Sequence, residues 1–158
     1  MKSGDKKMTK ILFVCHGNIC RSPMAEFIMK DLAAKRGLGD RFEIASAATS
    51  SEEIGNPVYP PALRELAAHG IDCAGHSARR ITAADYDKYD MIIGMDSENM
   101  RSMMRVFSND PENKLSLLLD YTERGGEVSD PWYTDDFAAA WRDIYDGCLG
   151  LLEKTAGR

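Results

Sequence analysis

Nowhere in the 158 residues does an apolar run approach the ~20 residues needed to cross a bilayer, and the charged opening stretch MKSGDKKMTK has no apolar centre of a secretory signal. Membrane insertion is therefore not expected, and a cytoplasmic protein is. Cysteine is scarce: Cys15, Cys20, Cys73 and Cys148 form no C-x-x-C pair and join none of the three histidines at zinc-ligand spacing. This argues against a disulfide scaffold or a zinc site and predicts reduced thiols with neither metal nor other cofactor. Positive charge is also in deficit, with 20 basic against 25 acidic residues and a net charge of −5. The basic residues are scattered, so no cationic stripe for nucleic acid or anionic membranes is present and any anion site must be local. Internal repeats, low-complexity tracts and linkers rich in proline and glycine are missing too. With 44% hydrophobic and 28% charged residues, the chain suits one compact domain over 10–158, preceded by a flexible segment over 1–9.

What is present alternates. Four short apolar runs read as strands: KILFVC at 10–15, RFEIASA at 41–47, DMIIGM at 90–95 and KLSLLL at 114–119. Three are almost continuously apolar, as strands buried on both faces should be, while the second alternates and suits a sheet edge. Between them lie helical patterns over 23–36, 60–69 and 97–107, and an amphipathic stretch over 135–153 closes the chain. Strands alternating with helices predict an α/β protein with a parallel sheet. The methionines at 91, 95, 100, 103 and 104 read as core filling, and so do Cys73 and Cys148. The loop-rich pieces SAATSSEEIGNP (46–57) and ERGGEVSDPWYTDD (123–136) follow the second and fourth strands. Both should emerge at the carboxyl edge of the sheet, where open α/β sheets bind ligands.

The stretch CHGNICRSP (15–23) belongs to the same edge, between the first strand and the first helix. Ser22 reads as a helix N-cap and Pro23 as the first helical residue. The backbone N–H groups of His16, Gly17, Asn18, Ile19, Cys20 and Arg21 can then curl around one point and form a nest for a tetrahedral oxyanion such as phosphate. Gly17 permits a tight turn, Asn18 tolerates left-handed backbone, and the Arg21 guanidinium offers a planar fork for two phosphate oxygens. Inside that nest Cys15 would be held as thiolate, a nucleophile aimed at phosphorus. Transfer of a phosphoryl group to sulfur and then to water further requires an acid to protonate the departing oxygen and a base for the water. Asp130 in SDPWY is the candidate, with Trp132 and Tyr133 placed to wall an aromatic leaving group. A lone C-x5-R or a lone Asp-Pro turn is usually structural. Their conjunction on one sheet edge is what points to catalysis.

These motifs together resemble the low-molecular-weight protein tyrosine phosphatases: VCHGNICRSPMAE the family's phosphate loop, SAATS with IGNP its second-strand segment, Met95-Asp96 its third-strand end and DPWY its acid loop. The resemblance spans nearly the whole chain. It implies a flavodoxin-like, doubly wound, four-stranded parallel sheet with helices on both faces, and a cysteine-dependent hydrolase of tyrosine-phosphorylated proteins that releases inorganic phosphate. It implies Cys15 as nucleophile, Arg21 as phosphate clamp and Asp130 as general acid and base. Ser22 would assist departure of the thiolate, and Asn18, Ser46 and His76 would hold the loop through hydrogen bonds. Cys20 would act as a second loop thiol guarding Cys15 against over-oxidation. Glu52 departs from the pattern, because the family commonly has an aromatic there. His16 is expected to face outward and His69 to lie on a helix surface. Asp96 is read only as a helix N-cap, outside the site. A thiol-coupled arsenate reductase on the same fold, or a non-enzymatic phosphoryl carrier, are the rival readings. The first needs a further close cysteine pair, and the second leaves Asp130 without a task.

Overall fold

A computed structural model describes residues 8–156. Strands β1 (Thr9–Cys15), β2 (Phe42–Ala48), β3 (Met91–Gly94) and β4 (Leu115–Leu117) form a sheet in the order β2-β1-β3-β4, and every neighbouring pair is parallel. β1 occupies the middle with Ile11, Leu12, Phe13 and Val14 fully buried. β2 lies at an edge, as its alternation predicts. Side chains leave β1 alternately toward two separate cores. Ile11, Phe13 and Cys15 pack with residues of α1 (Arg21–Lys35), α2 (Pro60–Ala68) and α6 (Phe137–Ala156). Leu12 and Val14 pack with Tyr86 of α3 (Ala84–Lys88) and Met103 of α4 (Ser97–Val106). The chain moves from β1 outward to β2 and then crosses back to β3. The point where winding reverses, between the carboxyl ends of β1 and β3, is the crevice such sheets use for ligands. Cys15 is the last residue of β1 and stands at that point.

Several boundaries differ from expectation for physical reasons. β4 ends at Leu117, and Leu118–Tyr121 form a 3-10 turn in which the Asp120 carboxylate accepts the Leu117 N–H at 2.9 Å. Leu118 and Leu119 thereby leave the sheet and are buried in the core that includes α6. The closing helix begins at Phe137 rather than 135, because a short α5 (Pro131–Thr134) ends at Asp135 in the left-handed conformation, φ 61°. Helix α3 is too short to leave a periodic signal. Of the segment expected to be flexible, residues 1–7 lie outside the described residues, whereas Thr9 already pairs with Phe42 in the sheet. Among the methionines, Met95 and Met103 are fully buried, and Met91 and Met100 pack against the cores from partly buried positions. Cys73 and Cys148 are buried, and burial pushes both thiols up. No helix among the described residues is long and apolar enough to cross a membrane.

Packing demands a glycine most plainly where helix meets backbone. Gly150 of α6 lies against the 3-10 turn, where an added Cβ would run into the Tyr121 carbonyl oxygen. Backbone cannot give way as a side-chain tip can. Gly150→Ala is therefore expected to destabilise by about 1–3 kcal/mol, lowering Tm by about 2–4 °C per kcal/mol for a chain of this size. An unchanged melting curve would mean that the turn and helix separate freely.

Candidate active site

The loop between β1 and α1 is shaped by where its carbonyls go. Those of Cys15, His16, Asn18, Ile19 and Cys20 accept hydrogen bonds from Thr49 N, Ser50 N, His76 Nε2, Tyr59 N and Met24 N at 2.8–3.1 Å. In a trans peptide the N–H that follows a carbonyl points the opposite way. With the carbonyls committed to surrounding segments, the amides of Gly17, Ile19, Cys20 and Arg21 face the inside of the loop. The Asn18 and Ser22 amides point at the Cys15 sulfur, at 3.3 and 3.4 Å, and the Ser22 hydroxyl lies 3.1 Å from it. These donors stabilise negative charge on sulfur.

Asn18 holds the turn. It is fully buried with φ 61°, a conformation that asparagine tolerates better than most residues. Its amide donates to Ser22 Oγ at 2.8 Å and Ser46 Oγ at 2.9 Å, and its oxygen accepts Arg79 N at 3.1 Å. Ser46 in turn donates to Glu26 Oε1 at 2.6 Å, and Lys30 Nζ meets Glu26 Oε2 at 2.6 Å. Asn18, Ser46 and His76, grouped by the sequence resemblance, are thus hydrogen-bonded around one residue. Glu26 and Lys30 extend the chain of contacts to the surface of α1. Sequence reasoning missed both, although Glu26 falls five residues after Arg21 on the same helix.

The expected capping geometry does not occur. Helix α1 starts at Arg21 with Cys20 preceding it, and no side chain caps it. Ser22 is turned inward to the sulfur, so its hydroxyl is unavailable as a cap. Pro23 falls third in the helix, still within the first turn, where its missing N–H costs no hydrogen bond.

Arg21 is 2% exposed. Its Nη1 donates to Asp96 Oδ2 at 2.9 Å and Val128 O at 2.8 Å, and Nη2 stands 3.4 Å from Asp130 Oδ2. Burial alone would lower its pKa, but Cys15, Asp130 and Asp96 hold it above the usual guanidinium value. The reading of Asp96 as lying outside the site is corrected here. Its Oδ1 does cap α4, accepting Asn99 N at 2.8 Å, while its Oδ2 binds Arg21. The one sequence signal was position: the carboxyl end of β3 adjoins that of β1. Asp130 caps α5 through the Trp132 N–H at 3.0 Å, and the Val128 N–H donates to Met95 O at 2.9 Å, pinning the acid loop to the end of β3. Trp132 packs on Tyr59 with ring centroids 4.9 Å apart and is 52% exposed, and Tyr133 is 83% exposed.

These parts line a cleft of about 510 Å³ that includes Cys15, His16, Gly17, Ile19, Cys20, Arg21, Asp130, Trp132 and Tyr133. The His16 side chain faces outward and its Nε2 lies 3.2 Å from Glu52 Oε1. His69 is elsewhere, at the end of α2, stacked on Trp141 with ring centroids 3.6 Å apart. Burial, with Cys15 nearby, pushes the Cys20 thiol up to about 12, so it stays protonated at neutral pH. Among the described residues, no group of three or more His, Cys, Asp or Glu is placed to hold a metal ion.

Because one side chain holds the turn, Asn18→Ala is expected to weaken binding of vanadate or phosphate, measured by calorimetry, by roughly 10-fold or more, as three buried hydrogen bonds are lost. Asn18→Gly restores the backbone freedom and not the bonds. It is expected to recover part of the melting temperature while leaving anion affinity low. Full affinity in Asn18→Gly would show that only the backbone conformation matters.

Comparison with known proteins places the chain. The family model described as low molecular weight phosphotyrosine protein phosphatase matches residues 10–157. The low molecular weight protein-tyrosine-phosphatase YfkJ of Bacillus subtilis is 42% identical over 147 residues, covering 92% of this chain and 94% of that one. The YfkJ crystal structure is similar with a TM-score of 0.93, at 40% identity and 96% coverage of both chains. The low molecular weight phosphotyrosine protein phosphatase of Rattus norvegicus is 38% identical over 151 residues, covering 92% of this chain and 94% of its own. A structure described as DARP, drosophila arginine phosphatase, gives a TM-score of 0.83 at 33% identity, with 93% and 98% of the two chains covered. With this fold, this order of motifs and these relatives, the chain belongs to the low molecular weight phosphotyrosine protein phosphatase family and is a cysteine-dependent protein-tyrosine phosphatase.

Proposed function

We propose that the protein hydrolyses phosphotyrosine in cytoplasmic proteins through a cysteinyl-phosphate on Cys15, with Arg21 as phosphate clamp and Asp130 as the proton-transfer group. The observation that carries this reading is the convergence in one cleft of a sulfur ringed by inward amides, a buried guanidinium and a carboxylate 3.4 Å from that guanidinium. In the first step the Cys15 thiolate attacks phosphorus and the bond from phosphorus to the tyrosine oxygen breaks. The Asp130 carboxyl group gives a proton to that oxygen. The equatorial oxygens meet the loop amides and Arg21, donors fixed in place before charge builds up. In the second step the Asp130 carboxylate takes a proton from water as the water oxygen attacks phosphorus. The phosphorus–sulfur bond breaks, inorganic phosphate leaves, and the Ser22 hydroxyl, 3.1 Å from the sulfur, stabilises the returning thiolate. His16, Gly17, Ile19 and Cys20 bind substrate through the backbone, Asn18 turns its amide to the sulfur and fixes the loop, and Ser46 and His76 support it.

The aromatic pair Trp132 and Tyr133, with Tyr59 behind, favours an aryl phosphate over an alkyl one. The likeness to the arginine phosphatase makes phosphoarginine the comparison substrate. Phosphotyrosine, phosphoserine and phosphoarginine peptides assayed side by side for phosphate release are expected to rank phosphotyrosine first. Phosphoarginine first would overturn the substrate assignment and leave the nucleophile intact. Cys15→Ser is expected to abolish turnover while still binding vanadate. Asp130→Ala is expected to slow aryl phosphates with poor leaving groups by roughly 100-fold or more and activated ones much less. Equal losses on both kinds of substrate would move the acid to another residue, with Asp135 and Asp136 next in line.

A further inference from the structure

The cleft that binds a phosphate dianion is walled by carboxylates. Sheet order places β2 and β3 on opposite sides of β1, so the segments following them flank Cys15 from two sides. The segment after β2 brings Glu52 and Glu53 to the cleft, and the first turn of α4, after β3, brings Glu98. Glu53 is held in place, because its Oε1 accepts Asn56 Nδ2 at 2.7 Å and its Cγ would lie 3.3 Å from a Cβ at Gly17, so its stem packs on the phosphate loop. The remaining side, Trp132 and Tyr133, is aromatic and uncharged. Among the described residues that line the cleft, the cations are Arg21, buried and held by Asp96, and His16, paired with Glu52 and able to supply at most one charge against three. The cleft continues along α4 past Asn99 to Ser102, which gives it length for residues beside the phosphotyrosine.

We infer that this acidic rim makes Glu52, Glu53 and Glu98 specificity-determining residues that select phosphotyrosines flanked by lysine or arginine and disfavour those flanked by acidic residues. The inference rests on the phosphotyrosine reading above and adds its sequence context. The physical reason is a division of labour by depth. The amides and Arg21, out of solvent, bind the phosphate strongly, whereas the rim carboxylates act on whatever surrounds it. A flanking cation compensates the rim and a flanking carboxylate adds to its repulsion. Glu52 and Glu98 are exposed and Glu53 is half-buried, so each is expected to matter a few-fold and to be screened by salt, with a Debye length of about 10 Å at 0.1 M. Glu98 also favours the N-terminus of α4 through the helix dipole, a structural role that would not depend on the substrate.

The test uses three peptides with one central phosphotyrosine, flanked by alanine, lysine or glutamate. Phosphate release gives kcat/KM in low-salt buffer and at about 0.3 M salt, where the screening length falls well below 10 Å. The expected order is lysine, alanine, glutamate, with roughly 10-fold or more between the extremes at low salt. Added salt is expected to lower the lysine value and raise the glutamate value, opposite signs that no general effect on folding or chemistry produces. The Glu52→Gln, Glu53→Gln, Glu98→Gln triple variant is expected to bring the three peptides within about 2-fold of one another. Equal wild-type values, a preference for the glutamate peptide, or a preference untouched by salt would overturn the inference. Should the triple variant fail to fold, the wild-type salt dependence decides alone. Failure to hydrolyse the alanine-flanked peptide would instead sink the phosphotyrosine reading itself.

Discussion

Carbonyls facing outward are what allow amides to face inward. The five bound carbonyls of residues 15–20 draw their partners from four separate places: the segment after β2, the residue before α2, His76 and α1. None of these partners touches the sulfur as the carbonyl donors they are, yet each fixes one peptide plane, and the planes together define the space in which an oxyanion fits. An isolated nine-residue peptide with this sequence would have no reason to adopt the shape, since its carbonyls would be solvated as readily as its amides.

The buried Arg21 is the second constraint. A guanidinium at 2% exposure is tolerable only with compensating charge and hydrogen bonds. Asp96 and Val128 O engage one nitrogen and leave Nη2 toward Asp130 and the cleft. The fork is therefore oriented by the fold itself, and lysine, whose three donors sit on a single nitrogen, could not span these partners with the separate nitrogens of a planar group.

Much of this was legible in the sequence because it depends on local pattern. The β1 run, the glycine and asparagine after Cys15, and the Asp-Pro-aromatic loop each announce a strand end or a turn, and alternation of strands with helices places them on one edge. What was not legible depends on directions that only tertiary structure sets. Ser22 has the composition of a helix cap and instead turns to sulfur. Asp96 does cap, as its place just before the α4 pattern suggested, but a carboxylate has two oxygens and the pattern accounts for one. His76 reads as a surface residue until the segment 76–79 is seen to lie beside the loop. Glu26 reads as the polar side of an amphipathic helix, and its burial follows from Ser46 on β2 facing it across the interface.

The hydrogen bond from Arg21 to Val128 O joins residues 107 positions apart. A contact of such sequence separation carries the entropic cost of closing the intervening loop, which the rest of the fold offsets. Arg21 gains this contact only when the chain beyond β4 has docked. A chain that ends before Val128 thus lacks one of the two acceptors that hold Arg21 Nη1 in place.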